Sequence, residues 1–128
     1  MARAYACDVG DPAAAERTFA SIESDLGSVD VLIYNAGKGV WGSAEEVTFE
    51  DFEAAWRTNT FGAFAAARCV IPAMKRRAVG HVIFVGATAS RRGGAKTAAF
   101  ASAKAAQRSL AESLDLSTRR RYWFLGGK

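Results

Sequence analysis

Histidine occurs once in these 128 residues, and cysteine and proline twice each. With His81 as the sole imidazole, neither a multi-histidine metal site nor a histidine-centred triad finds support. Cys7 and Cys69 stand too far apart for a CxxC or other zinc spacing. The two thiols read as buried free cysteines in a reducing, cytoplasmic compartment. No run reaches the roughly 20 apolar residues that cross a bilayer, and MARAYACDVGD offers no apolar stretch for a signal peptide, so no membrane partner is expected. An excess of one charge sign is also missing from most of the chain. Residues 1–115 carry 13 Lys/Arg against 13 Asp/Glu, and the net +4 comes from Arg119, Arg120, Arg121 and Lys128. A solvated basic end without a recognition motif argues against nucleic-acid binding.

What is present is half apolar, enough for one globular domain. Ala4–Val9 is a short strand candidate. Asp11-Pro12 supplies an N-cap and a first-turn proline for a helix to about Leu26, with Phe19, Ile22 and Leu26 on its buried face and Gly27 at its end. The run VDVLIYNAG is nearly continuous in apolar residues, which suits a parallel strand covered on both faces. Thr48 caps a long helix to about Arg77, with Asp51 three residues on as a weak capping-box partner. HVIFVGA is a second buried strand, and an Ala-rich segment of high helix propensity runs from Lys96 to about Leu116. Strands alternating with helices of ten residues or more predict an α/β domain over residues 1–116 built on an open parallel sheet. Residues 117–128 read as a basic and aromatic tail.

Four features then fall in order: Asp8-Val9 at one strand end, Asn35-Ala36-Gly37 at the next, Asn59 within a helix, and Phe100 four residues before Lys104. Each is weak alone; a turn aspartate, a common tripeptide turn, a solvated helix asparagine and a surface lysine are ordinary features. As an ordered set over Tyr5 to Leu114, they resemble the short-chain dehydrogenase/reductase family. The resemblance implies a partial Rossmann-like, doubly wound parallel sheet and an NAD- or NADP-dependent oxidoreductase acting on a small-molecule carbonyl or alcohol. It assigns Asp8 and Val9 to the adenine end of the cofactor, and Asn35, Ala36 and Gly37 to its backing. Lys104 falls to the nicotinamide ribose, and Asn59 to a water that links Lys104 to solvent. It also implies a homo-oligomer through the helices at 48–77 and 96–116.

Hydride arriving at a carbonyl leaves an alkoxide, which needs a proton donor and an oriented hydrogen bond at once. The family supplies a tyrosine and a serine, and the corresponding positions here hold Phe100 and Ala87. Thr88 and Ser90 are the neighbouring hydroxyls, without a phenol's acidity. A branch of the family carries the same GATAS stretch and a phenylalanine at the tyrosine position. The family's glycine-rich turn for the pyrophosphate has no counterpart before Asp8. The strand order 3-2-1-4-5-6 also leaves only VLIY and HVIFV as neighbours, each with an open edge. The expectation is therefore a dehydrogenase fragment, impaired or inactive by itself. The alternative is a non-catalytic interaction module that offers its edges or helices to a partner.

Overall fold

The computed structural model describes residues 1–118 and 122–125, with side chains to Leu114. The expected Arg119–Arg121 cluster and Lys128 lie outside the described residues.

Helix α1 spans Pro12–Leu26; the Asp11 side chain accepts from Ala13 N, and Gly27 ends the helix at a φ of 88°, which favours glycine. Strand β1, Val31–Tyr34, leads through a loop to α2, Phe49–Trp56, where Asp51 N donates to Thr48 Oγ1 as a capping residue requires. The helix then widens into a π-turn at Arg57–Phe61 and continues as α3, Gly62–Arg77. The long segment expected as one α-helix is thus broken where Asn59 sits. Strand β2, His81–Val85, is followed by a 3₁₀ turn at Thr88–Ser90, helix α4 at Ala98–Thr118 and strand β3 at Tyr122–Leu125.

The three strands form one parallel sheet in the order β1-β2-β3. The register pairs Leu32 with Val82 and Tyr34 with Phe84, residues that share one face. That face carries the core: Tyr34, Val82 and Phe84 pack with Ala63, Ala66, Ala67, Val70 and Met74 of α3 and Ala111 of α4. Small residues along α3 let its backbone approach the strands closely.

The fold departs from the sequence expectations at five further points. The HVIFV strand, expected to keep an open edge, pairs with Tyr122–Leu125, so β2 is bonded on both sides and the described sheet leaves its outer edges on β1 and β3. Ala4–Val9 forms no strand, because a ladder needs an adjacent strand and the described sheet provides none beside it. It is held instead by side chains: Tyr5 Oη donates to Asp25 Oδ2, and Arg3 pairs with Asp25. The β1 run is covered on one face only, with Val31 50% and Ile33 61% exposed on the other. The helices that contact the strands back the Tyr34 and Phe84 side, which leaves alternate β1 residues uncovered. Finally, Leu26 is the last residue of α1 and is exposed, and Cys7 and Cys69 are unpaired but only half-buried. Among the described residues, no helix is long and apolar enough to cross a membrane.

Candidate active site

The site forms where β1 and β2 end, at the carboxyl edge of the parallel sheet, the side on which open α/β sheets receive ligands. The chain leaves β1 through Asn35, Ala36 and Gly37 and leaves β2 through Gly86 and Ala87. The π-turn and α4 face this edge.

Widening the helix at Arg57–Phe61 shifts its hydrogen bonds, with Gly62 N donating to Arg57 O, five residues back. Such turns release backbone groups for other partners and are frequent at functional sites. Here the Tyr34 hydroxyl donates to Thr58 O, which ties the turn to β1. Burial pushes the Tyr34 phenol up, so it acts as a neutral anchor. On the other side, Thr60 Oγ1 donates to Ala103 O of α4 at 2.8 Å. Gly62 is required at this crossing, because a Cβ there would overlap the Tyr34 hydroxyl and lie 2.6 Å from Val9 O.

Between these two ties sits Asn59, fully buried. Its Nδ2 donates to Ala55 O and to Lys38 O, both at 2.8 Å, while Oδ1 is buried without a partner among the described residues. A buried unsatisfied acceptor costs free energy unless a water or ligand meets it. Lys104 is also buried, at 5% exposure. Its Nζ donates to Val85 O at 2.8 Å and to Gln107 Oε1 at 3.1 Å. Burial lowers its pKa, because the charged form loses hydration. Gly37 joins the two: a Cβ on it would lie 3.2 Å from Asn59 Oδ1 and 3.8 Å from Lys104 Nζ. The missing side chain leaves room beside an unpaired acceptor and an ammonium with a proton to spare.

Gly37, Asn59 and Lys104 are therefore brought together. Ala36 packs against the core beside them, and Asn35 is exposed. Asp8 and Val9 approach from the far side of the π-turn: Asp8 Oδ1 accepts from Gly10 N in a local turn, and Arg57 reaches Gly10 O. Phe100 is half-buried on α4, with its ring tilted against Trp41 at a centroid distance of 5.0 Å. Ala87 is half-buried at the start of the 3₁₀ turn, Thr88 is exposed and Ser90 is buried.

Two participants escaped sequence reasoning. Trp41 is carried over Phe100 by the post-β1 loop, which Gly42 pins to the segment before α4 through a bond from its N to Lys96 O. Nothing local in the sequence announces that contact. Gln107 lies three residues after Lys104, a spacing that places both on one helix face, so a polar residue there in an Ala-rich helix was a legible signal.

The short chain dehydrogenase family profile matches residues 1–121, and the chain belongs to that family. It is 30% identical over 113 residues to a sepiapterin reductase of Chlorobaculum tepidum, covering 88% of this chain and 46% of that protein. Over 108 residues it is 34% identical to the 3-oxoacyl-[acyl-carrier-protein] reductase MabA of Mycobacterium tuberculosis, covering 84% and 44%. A crystal structure of a gluconate 5-dehydrogenase from Burkholderia cenocepacia, in complex with NADP and tartrate, superimposes with a TM-score of 0.87 at 25% identity, covering 93% of this chain and 48% of that one. The chain spans about half the length of the relatives it matches.

Proposed function

We propose that this chain is the central part of an NAD(P)-dependent oxidoreductase that moves hydride between a nicotinamide cofactor and a carbonyl or alcohol of a small molecule. The observation that carries the reading is the opening beside Gly37, where the unpartnered Asn59 Oδ1 and the buried Lys104 ammonium converge. An acceptor and a donor so placed fit a hydroxyl-bearing ligand such as a ribose. Lys104 would bind the ribose hydroxyls, Asn59 would hold a water or hydroxyl against Lys104, and Asn35 to Gly37 would back the cofactor, with Asp8 and Val9 at its adenine end. The cofactor, when bound, supplies or accepts the hydride. The NADP in the related gluconate 5-dehydrogenase structure supports this cofactor class.

The 128-residue chain by itself should bind nucleotide weakly. Among the described residues, the N-termini of α1 and α2 are already capped by the Asp11 and Thr48 side chains, so neither offers the free amides of a glycine-rich pyrophosphate cradle. Titration calorimetry should show no micromolar binding of NAD or NADP. Fusion to the amino-terminal half of a related dehydrogenase should restore binding, and Lys104→Met should then weaken it. Micromolar binding by the chain alone, or a fusion indifferent to Lys104→Met, would overturn this assignment.

The partner proposed is a second copy, through the helices at 48–77 and 96–116. Along α2, the π-turn and α3, Phe49, Phe52, Trp56, Phe61 and Phe64 stand 39–91% exposed, an apolar stripe that association would cover. Light scattering should give a mass above the 13.6 kDa of one chain, and Trp56→Glu with Phe64→Glu should reduce it more than Ile33→Lys on the open sheet face. A monodisperse monomer would refute association through either surface. The alternative, a non-catalytic module, draws on the absence of both hydroxyls at positions 87 and 100 and on the open β1 edge. A fusion that binds cofactor yet transfers no hydride would favour it.

A further inference from the structure

We infer that Gln107 is a positioning residue for Lys104: it fixes the direction of the one ammonium proton left for a ligand. The inference deepens the reading of Lys104 as the ribose-binding residue and rests on it. An ammonium carries three donors and no acceptor. Two of the three are committed within the protein, to Val85 O at 2.8 Å and Gln107 Oε1 at 3.1 Å. With tetrahedral geometry at nitrogen, two fixed hydrogen bonds fix the third direction. Val85 O alone would leave the ammonium free to swivel about a single bond.

The orientation of the carboxamide follows from the same chemistry. The amide's NH₂ end facing Nζ would set donor against donor, so its oxygen must face the lysine. Nε2 then points into the interior, where it is buried and has no partner among the described residues. Gln107 is itself fully buried. An apolar residue of similar volume would avoid that unsatisfied donor, so packing alone does not explain the amide. Its one described polar contact is Lys104, and both acceptors on the lysine are neutral, so they hold the ammonium without neutralising it.

The test measures Lys104 directly, by competitive acetylation of the lysines across a pH series with peptide mass spectrometry, a measurement that also works on an assembled protein. Gln107→Met keeps the volume and removes the acceptor, so the Lys104 titration midpoint should fall by about one pH unit, the size of one hydrogen bond to a charge. Gln107→Glu should raise it. Unchanged midpoints in the folded variants would overturn the inference, and if Gln107→Met fails to fold, Gln107→Glu still decides. In the fusion enzyme, Gln107→Met should displace the pH profile of kcat in the same direction as the acetylation midpoint. An active fusion whose profile stays put would limit Gln107 to packing. A fusion inactive throughout, with the acetylation shifts as expected, would instead sink the oxidoreductase reading and leave the Gln107 contact to Lys104 standing.

Discussion

Phe100→Tyr combined with Ala87→Ser is expected to raise carbonyl reduction by the fusion enzyme by about 10² to 10⁴, the usual worth of a positioned general acid. Phe100 lies on α4 four residues before Lys104, so both side chains leave the same face of the helix. The Lys104 ammonium is already buried, anchored at two points and left with one free proton. A phenol introduced at position 100 would meet a cation that favours its ionised form, and a serine at 87 would add an oriented donor at the end of β2. The ring at 100 is held by Trp41 at 5.0 Å, and tyrosine preserves that contact because it adds only the hydroxyl. Steady-state hydride transfer across a panel of carbonyls, with and without the two substitutions, provides the measurement. A parent already fast, with the double variant no faster, would move the chemistry away from Phe100 and towards Thr88, Ser90 or a donor from outside this chain.

Gly62→Ala should destabilise the protein by roughly 1–3 kcal/mol, the usual cost of overfilling a packed interior. The added methyl would meet the Tyr34 hydroxyl on one side and Val9 O on the other. It would therefore strain the Tyr34 to Thr58 hydrogen bond that ties the π-turn to the sheet. Because Asn59 sits one residue beyond Thr58, the loss should extend from stability to the site. Adding Tyr34→Phe removes the nearer obstacle and leaves the backbone one, so the double variant should be less destabilised than the two single changes summed. Chemical denaturation of the four proteins forms the cycle that isolates this coupling. Strict additivity would show that the Tyr34 hydroxyl and Gly62 do not compete for the same space.

The sequence by itself determined the elements and their class. Asp11-Pro12 and Gly27 fix the ends of α1, Thr48 fixes the start of α2, and the apolar runs at 31–34 and 81–85 are two neighbouring strands. Each of these depends on interactions within a few residues, which is why it can be read locally. Asn59 stands out in the sequence because an amide inside a helix needs partners, and the folded chain supplies them from Lys38 and Ala55. Tertiary structure alone decided the rest. Whether Ala4–Val9 becomes a strand depends on a neighbour to pair with, and whether Tyr122–Leu125 does depends on the free edge of β2. The exposure of Val31 and Ile33 depends on which face the helices take, a choice that an unbroken apolar run cannot record. The widening at Arg57–Phe61, Trp41 over Phe100, and the meeting of Gly37, Asn59, Lys104 and Gln107 join segments up to seventy residues apart. Such contacts are fixed by packing against a common core, and no local pattern encodes them.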